Sequence, residues 1–348
     1  MARPDGAPQV PSATHGLAVT FGATMHLLYR SFMRDLPGER DPEVVRELIQ
    51  RFRTLLETDL SNVEQGYYPK SLLFQFPFWR YLLRAPEQLF EFPRVAARRR
   101  ANGWRDLPRE IDLTRFPRYY RRTFHWQTDG WLSQRSAKLY DLEVELLFGG
   151  TADIMRRMAI PPIVRASSKG TAPRILDVGC GTGRFLKQLC AALPTMRATG
   201  LDMSPFYVKE AARTLADVPE VSLVVDDAES MPFRDEAYDV VSSVFLFHEL
   251  PRQTRRAVAK EMARVVRAGG TVVVCDSAQR RDSEILMPAL EGFARTYHEP
   301  FYLDYVEDPL EDLLEQAGLR VVESAPHSVS KVVVAVRPDF EGGDRAFA

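Results

Sequence analysis

The second half of the chain predicts an α/β fold with a mostly parallel, seven-stranded sheet. Short apolar segments alternate there with helical segments, and this alternation requires crossover connections between parallel strands. Near the end of the sequence, two strands joined by a short connection favour an antiparallel hairpin. The first half is helical in pattern and rich in aromatic residues. It predicts an N-terminal helical cap domain packed on the carboxyl edge of the sheet.

The composition is that of an ordinary globular chain. Its 348 residues allow about two domains, with 45% apolar and 27% charged side chains. The net charge of -1 gives no general attraction to nucleic acid or to an anionic membrane. Three cysteines, without a CxxC pair, favour a reducing compartment. Because no apolar run reaches about 18 residues, we expect a cytoplasmic protein without a membrane span, and its oligomeric state stays open.

We divide the chain into four parts. Flexible tails are expected at 1–16 and 339–348, since the first of them lacks the apolar core of a signal peptide. The cap domain is predicted at 17–165 and the ligand-binding domain at 166–338. Proline, serine, glycine and alanine at 161–173 predict a linker between these two domains.

Two helices and an aromatic segment are predicted in the first half. Apolar residues spaced by three and four predict a helix over 41–60, with Asp41 as its N-cap and Pro42 in its first turn. A second helix is predicted over 136–158. The segment 67–120 combines aromatic residues with several prolines, which predicts short helices and turns.

The strands and helices of the second half follow one another in a regular order. Strands are predicted at 174–178, 198–202, 221–226, 238–244, 271–276, 319–324 and 331–336. Helices are predicted at 183–193, 205–215, 254–266 and 309–317.

The strongest chemical signal is the stretch ILDVGCGTG, which ends at Gly183. A buried strand runs there into a glycine-rich turn that opens a helix, so the backbone turns sharply and leaves free N–H groups for a ligand. Asp202 ends the next strand, where an acid accepts both ribose hydroxyls of a nucleoside. The third strand ends in Asp226, Asp227, Ala228 and Glu229, placed to contact an adenine edge.

These segments resemble the ordered motifs of class I S-adenosylmethionine-dependent methyltransferases. The matching stretches are LDVGCGTG, GLDMS, DDAESMPF, YDVVSSVFLFHELP and RVVRAGGTVVV. They look most like the small-molecule, type 11-like branch that includes the quinone C-methylating enzymes. The resemblance is close over 174–277 and loose over the C-terminal hairpin. It implies a Rossmann-like fold and S-adenosylmethionine as the cofactor, but it does not identify the methyl acceptor.

The resemblance also implies roles for the first and second motifs. Asp177, Gly179 and Gly181 would lie along the methionine part of the cofactor, in the loop that Gly183 completes. Asp202 would hold the ribose hydroxyls. The alternative is that these acids only cap helices.

The remaining cofactor contacts are carried over in the same way. Met203 would pack on the adenine face, and Asp227, preferred to its neighbour, would accept a hydrogen bond from the adenine N6 amine. The backbone N–H of Ala228 would lie near adenine N1. Val244 and Phe245 would line the sulfonium end.

Two histidines after the fourth strand are candidate catalytic groups. His248 lies at the carboxyl edge of the sheet, where open α/β folds bind ligands, and relatives often carry a histidine pair where this chain has His248 and Glu249. His298 lies in an aromatic segment with Tyr302 and Tyr305, which predicts a pocket wall. Alternatively, both histidines pack or cap without taking part in the chemistry.

The segment YYRRTFHWQTDGWLS before the second helix is a candidate lid. It resembles an FHxQTDGWLS-like stretch in uncharacterised bacterial and plant methyltransferase-like proteins. Tyr120 and His125 are catalytic candidates, and Gln127, Asp129 and Trp131 are candidate substrate contacts. Aromatic faces also attract a sulfonium. The alternative is an aromatic core between helices, in which the buried polar groups would need partners.

Other reaction classes are disfavoured or left open. No metal site is predicted, because Asp276 is followed by Ser277 instead of the Asp-Asn pair of catechol-type enzymes. A nucleic-acid partner is not expected, because the fourth strand lacks the Asn/Asp-Pro-Pro-Tyr/Phe signature. The leading hypothesis is methyl transfer to oxygen or carbon of a small apolar or aromatic metabolite. The alternatives are transfer or cyclisation of the aminocarboxypropyl arm with release of methylthioadenosine, and cofactor binding without catalysis.

Overall fold

A computed structural model describes residues 41–75, 78–167 and 172–339. The predicted tail at 1–16 lies outside the described residues, as do the cap domain up to residue 40 and the chain from residue 340 onward. None of the helices within the described ranges is long and apolar enough to cross a membrane.

Seven strands form one mixed sheet in the order β3-β2-β1-β4-β5-β7-β6. They are β1 (Arg174–Val178), β2 (Arg197–Asp202), β3 (Val221–Val225), β4 (Tyr238–Val244), β5 (Val266–Ser277), β6 (Arg320–His327) and β7 (Ser330–Val336). The first five pair in parallel, and β7 pairs antiparallel with both β5 and β6. The predicted fold class is therefore confirmed.

The fifth strand begins earlier than the sequence predicts. It starts at Val266 rather than at residue 271, and the register against β4 shifts between Tyr238 and Val240. Gly269, with a φ of +66°, lies in this irregular part. A glycine in the left-handed region allows the extended chain to continue past such a bulge, which is why the apolar pattern alone missed these residues.

Helices connect the strands close to the predicted positions. The crossover helices are α6 (Arg184–Ala192), α7 (Pro205–Thr214) and α8 (Arg252–Val265), and the helices before the hairpin are α9 (Met287–Tyr297), α10 (Tyr302–Val306) and α11 (Leu310–Gln316). Because the crossovers join parallel strands, the carboxyl ends of β1 to β5 all meet at one edge of the sheet.

The first described helix agrees with the prediction and continues beyond it. Helix α1 spans Pro42–Glu64, and the side chain of Asp41 accepts a hydrogen bond of 2.8 Å from the N–H of Glu43. Proline in the first turn costs no helical hydrogen bond, because that N–H has no partner in a helix. Val44 and Leu55 are buried.

The helix predicted over 136–158 is wrong as one element. The structure has two helices, α3 (Gln134–Leu147) and α4 (Ala152–Arg157). Gly149 and Gly150 separate them, with φ values of +60° and +85°. Glycine adopts this left-handed conformation easily, so the pair ends α3 and turns the chain into α4.

The prediction of short helices and turns over 67–120 is wrong for its middle. Helix α2 spans Phe78–Arg100 and contains Pro86 and Pro93. Each internal proline removes one helical hydrogen bond, but tertiary burial outweighs this loss. The buried apolar side chains of the helix include Tyr81, Phe92 and Val95. After residue 100, the segment consists of turns and short 3-10 helices, as predicted.

The predicted linker at 161–173 is wrong over its first part. Residues Ile160–Ser167 form helix α5, in which Pro161 and Pro162 are buried in the first turn. Proline is tolerated there because the first N–H groups of a helix are unpaired. The predicted domain boundary at residue 165 therefore falls inside a helix.

Two apolar clusters lie on the two faces of the sheet. In β1, Ile175 belongs to one cluster and its neighbour Leu176 belongs to the other. Successive side chains of a strand point to opposite faces of the sheet, so this alternation is expected. Residues of α4 and α5, including Met155 and Ile163, pack in the cluster that contains Ile175. These two helices of the N-terminal half thus form part of the layer on one face of the sheet.

Helix α1 is attached to α4 by a buried ion pair. The guanidinium of Arg157 donates from Nε to Asp59 Oδ1 at 2.8 Å, and the hydroxyl of Tyr68 donates to the same oxygen at 2.6 Å. Both charged side chains are almost fully buried. A buried charge that loses its partner is strongly unfavourable.

We predict that Asp59→Ala lowers the free energy of unfolding by about 3–5 kcal/mol, because it leaves the guanidinium of Arg157 buried without a counter-charge. Urea denaturation followed by circular dichroism measures this change. Glu57→Ala on the exposed side of the same helix is the matched control and should stay within about 0.5 kcal/mol of the parent chain. Equal effects of the two substitutions would show that the ion pair does not hold the helix.

Candidate active site

A cavity of about 1030 Å³, including its open mouth, lies at the carboxyl ends of β1, β2, β3 and β4. Nine of the ten residues predicted to contact a cofactor line it: Asp177, Gly179, Gly181, Asp202, Met203, Asp227, Ala228, Val244 and Phe245. The structure thus brings together residues that are up to 68 positions apart in the sequence.

The glycine-rich turn forms the floor of the cavity. The N–H groups of Gly179 and Cys180 both donate to the carbonyl of Leu201, at 2.8 and 2.9 Å, which anchors the turn to the end of β2. Gly179 and Gly181 have φ values of +73° and +54°. A Cβ at Gly181 would meet no atom within 4 Å, so the loop presents bare backbone to the open cavity.

Gly183 is the one predicted cofactor residue that does not line the cavity. It precedes α6 with a φ of +74°, and a Cβ there would lie 2.9 Å from Leu215 and 3.2 Å from Ala211. Its place in the fold is the close packing of the turn against α7 and the segment that follows it. This close helix packing explains a glycine at the position.

Two buried carboxyl groups lie beside the turn. Asp202 accepts hydrogen bonds of 2.8 Å from the N–H groups of Gly181 and Ser204, one on each carboxylate oxygen. Burial raises the pKa of Asp202 to about 6, although these N–H groups oppose the shift. Burial also raises the pKa of Asp177 to about 7, against the effect of a 2.9 Å hydrogen bond from Ser242.

The aspartates after β3 also accept hydrogen bonds from the backbone of the turn in which they lie. Asp226 accepts a hydrogen bond from the N–H of Asp227, and Asp227 accepts one from the N–H of Glu229. Both aspartates line the cavity together with Ala228. Capping of the turn therefore accounts for one oxygen of Asp227, and its second oxygen has no hydrogen bond from the described residues.

The opposite wall comes from the N-terminal half of the chain. Tyr119, Tyr120, Trp131 and Tyr140 line the cavity there. Trp131 lies between two other rings, with ring centroids 4.0 Å from Phe124 and 5.2 Å from Tyr120. The hydroxyl of Ser204 donates to the carbonyl of Trp131 at 2.6 Å, which ties this aromatic wall to the turn after β2.

A group of buried charges lines the cavity beside the glycine turn, and the sequence reasoning missed it. Arg156 and Arg184 both contact Asp153, with N–O distances of 2.9 and 3.0 Å. Nearby, the hydroxyl of Thr182 donates to Asp141 at 2.6 Å. One signal was available, because Arg184 stands in the first turn of a helix, where a cation opposes the helix dipole and needs another explanation.

His248 lies behind the cavity wall and does not line it. Its Nδ1 is 2.6 Å from Asp276 Oδ1, and its ring lies edge-on to those of Tyr302 and Tyr305. Burial lowers the pKa of His248, but the carboxylate of Asp276 outweighs this effect and raises the pKa to about 9. The tyrosines, which also lie away from the cavity, bind Ser277 through their hydroxyls.

Glu249 is the titratable residue of this segment that reaches the cavity. It lies 2.9 Å from Nε2 of His125, whose ring also contacts Glu299. Burial raises the pKa of Glu249 to about 7, and the nearby Glu299 adds to the shift, while His125 opposes it. The sequence reasoning did not include Glu249 or Glu299 among the site residues, because they are 50 positions apart.

Four other candidates also lie away from the main cavity. His125 and Gln127 line a second, smaller cavity. Asp129 has a φ of +67° in the turn before α3. His298 packs 4.6 Å from the ring of Trp126, and burial lowers its pKa to about 4. Of the predicted catalytic and substrate residues, Tyr120 and Trp131 are therefore the two that line the main cavity.

Comparison with known proteins agrees with this geometry. A family model described as a methyltransferase domain matches residues 175–270. A demethylmenaquinone methyltransferase from Lysinibacillus sphaericus is 29% identical over 205 residues, which cover 54% of this chain and 83% of the relative. A 2-methyl-6-phytyl-1,4-hydroquinone methyltransferase from Synechocystis is 37% identical over 111 residues, or 32% and 34% of the two chains.

A third relative, a demethylmenaquinone methyltransferase from Staphylococcus aureus, is 37% identical over 130 residues, which cover 37% of this chain and 49% of the relative. The match thus spans most of the first relative but half or less of the other two. Among solved structures, an O-methyltransferase family 2 protein from Planctomyces limnophilus is 17% identical with a TM-score of 0.47, over 59% of this chain and 61% of its own. The family model and the three relatives identify a methyltransferase domain in this chain, and that domain is similar to those of the quinone methyltransferases, which supports the class I S-adenosylmethionine-dependent type.

Proposed function

We propose that the enzyme transfers the methyl group of S-adenosylmethionine to an oxygen or carbon atom of a small, apolar or aromatic acceptor. The observation that carries this proposal is the composition of the cavity. One wall consists of the motif residues of the sheet edge, and the other consists of aromatic side chains from the N-terminal half. The names of two relatives, a demethylmenaquinone methyltransferase and a 2-methyl-6-phytyl-1,4-hydroquinone methyltransferase, support an acceptor of this class.

The residues of the cavity fit the cofactor. The backbone of Gly181 faces open space, and the two oxygens of Asp202 each retain accepting capacity beyond their one backbone hydrogen bond. S-adenosylmethionine supplies a methyl group bonded to a positively charged sulfur. We assign the ribose hydroxyls to Asp202, the adenine face to Met203, and the adenine edge to Asp227 and the N–H of Ala228.

The charged end of the cavity would hold the amino acid part of the cofactor. Asp177 supplies a carboxylate for the ammonium group, whereas Arg156 and Arg184 supply positive charge for the carboxylate. Asp153, which contacts both arginines, keeps their charge partly compensated when no ligand is bound. Negative and positive side chains alternate along this wall, so the ammonium and carboxylate groups of the cofactor would be attracted in only one orientation.

The acceptor would lie between Phe245 and the aromatic wall. Phe245 has a φ of +55°, in the left-handed region that non-glycine residues rarely adopt. Its N–H donates a hydrogen bond of 2.8 Å to the carbonyl of Cys275. Such strained backbone persists where the surrounding structure holds it, often at functional sites. Tyr120 and Trp131 would exclude water from the transfer, and Glu249 supplies a further carboxyl group in the lining of the same cavity.

We also propose that the N-terminal half closes the site as a cap, with the segment 119–133 as its lid. The contacts of Tyr119, Tyr120 and Trp131 with the cavity support this arrangement. We place the end of the cap before α4, because α4 and α5 pack against one face of the sheet.

We predict that Asp202→Ala weakens binding of S-adenosylmethionine at least tenfold, since hydrogen bonds to a charged group contribute about 1.5–3 kcal/mol. Isothermal titration calorimetry measures the affinity, and circular dichroism checks that the variant is folded. Asp217→Ala, at an exposed aspartate that pairs with Lys187, is the control and should bind like the parent chain. Parent-like affinity of Asp202→Ala would reject its assignment to the ribose.

We predict that cofactor binding weakens as the pH falls. The carboxyl group of Asp177, with a pKa of about 7, is ionised at pH 8 and mostly protonated at pH 6. Since the ionised form attracts the ammonium group, the Kd for S-adenosylmethionine should rise about tenfold from pH 8 to pH 6. Asp177→Asn should bind weakly at both pH values and lose most of this dependence; an unchanged pH dependence in the variant would contradict the role of Asp177.

We predict that turnover releases S-adenosylhomocysteine and not methylthioadenosine. The test is incubation of the enzyme with methyl-labelled cofactor and a metabolite extract, followed by mass spectrometry of the byproduct and of the labelled product. Heat-inactivated enzyme is the control. Release of methylthioadenosine would contradict methyl transfer and indicate a reaction of the aminocarboxypropyl arm. Absence of turnover with every extract would favour cofactor binding without catalysis.

A further inference from the structure

Three acid–base side chains from distant parts of the chain meet behind the main cavity. His125 comes from the aromatic segment before α3, Glu249 from the turn after β4, and Glu299 from the turn after α9. Nε2 of His125 lies 2.9 Å from Glu249 Oε1 and 2.6 Å from Glu299 Oε1. All three donor atoms lie within 4.8 Å of one another.

When both glutamates are ionised, hydrogen bonds inside this cluster do not satisfy all of its oxygen atoms. An imidazole nitrogen carries at most one proton, so Nε2 of His125 donates to one carboxylate at a time. Apart from these ion-pair contacts, Glu249 Oε2 and both oxygens of Glu299 receive no hydrogen bond from the described residues. The two glutamate side chains are 4% and 0% exposed. Buried carboxylates in this state need a cation or a shared proton between them.

We propose that His125, Glu249 and Glu299 bind one divalent transition-metal ion. One imidazole and two carboxylates form the kind of N,O,O donor set that Zn²⁺, Co²⁺, Mn²⁺ and Fe²⁺ accept. Metal–ligand bonds of about 2.0–2.2 Å place neighbouring donor atoms roughly 3 Å apart. The observed distances from Nε2 of His125 are close to this value, so a small opening of the cluster admits an ion.

A second histidine is oriented toward the same cluster. Nδ1 of His248 faces Asp276 Oδ1 at 2.6 Å, which leaves Nε2 on the side of Glu249, 3.6 Å from its Oε1. A carboxylate behind one ring nitrogen is the usual way in which proteins orient a metal-binding histidine and fix its tautomer. Asp276 in turn accepts hydrogen bonds from three backbone N–H groups, those of Leu246, Phe247 and Ser277, so its carboxylate is held in place.

The position of the cluster beside the main cavity suggests a role for the ion in the reaction. Glu249 lines the main cavity, so an ion bound to its carboxylate lies in the wall that faces the acceptor. There it would lower the pKa of an acceptor hydroxyl as a Lewis acid, a consequence that rests on the proposed methyl transfer. The binding site itself does not rest on it. The cluster shares no ligand with the Asp-Asn arrangement of catechol-type enzymes, and its three residues lie far apart in the sequence, so the sequence pattern does not predict this site.

Metal titration of the full chain tests this proposal directly. The protein is treated with EDTA, dialysed, and titrated with CoCl₂ while heat and visible absorption are recorded. We expect one Co²⁺ per chain with a visible ligand-field absorption, and at least tenfold weaker binding in Glu299→Gln and in His125→Gln. Glu143→Gln removes a half-buried carboxylate near His125 but outside the cluster and should leave the affinity unchanged.

Several outcomes would overturn the site. These are a wild-type chain that binds no stoichiometric Co²⁺, a Co²⁺ complex without visible absorption, and equal affinities of wild type and folded Glu299→Gln. The wild-type titration decides the question even where a variant fails to fold. If the wild-type chain binds no Co²⁺, a proton shared among the three side chains would account for their close contact. No cofactor or acceptor is present in this experiment, so failure of the metal site and failure of methyl transfer are reported separately.

Discussion

The carboxylate of Asp202 is the contact on which the geometry of the site depends. Its two oxygens accept hydrogen bonds from Gly181 and Ser204, so one side chain joins the glycine turn after β1 to the start of α7. The hydroxyl of Ser204 then holds the carbonyl of Trp131. The end of β2 therefore fixes the floor of the cavity and its aromatic wall together. A ligand that binds Asp202 is placed against both.

The buried charges around the cavity set its polarity. Arg156 and Arg184 lie near the glycine turn, compensated by Asp153, while Asp177 adds a carboxyl group whose pKa burial has raised. Placing these groups in a low-dielectric pocket is costly unless they are paired. Their arrangement makes sense for a ligand that carries both charges at one end and an uncharged base at the other, as the proposed cofactor does.

The sheet and its cofactor loop could be predicted from the sequence, because both are local patterns. Strands appear as apolar runs, and the turn appears as glycines at positions that require positive φ, as at Gly179. Long-range features could not be predicted in this way. Helix α2 forms despite Pro86 and Pro93, because its apolar side chains are buried against the rest of the fold. The contact between His125 and Glu299 depends on how the aromatic segment packs against α9.

The aromatic segment shows the same limit within one stretch. Its composition predicted a wall for the site, and Tyr120 and Trp131 do line the cavity. The polar residues of that stretch, which were expected to contact the acceptor, lie elsewhere, because positive φ values at His125 and Asp129 turn the chain between them. Composition therefore identified the segment, while backbone conformation decided which of its side chains line the cavity.

The most direct test of this account is a crystal structure of the enzyme with S-adenosylhomocysteine. We predict density in the cavity at the sheet edge, with the ribose hydroxyls on Asp202, the adenine beside Met203 and Asp227, and the homocysteine end toward Arg156 and Arg184. The aromatic wall with Tyr120 and Trp131 should cover the sulfur. Ligand density outside this cavity, or a ribose that does not contact Asp202, would contradict the account.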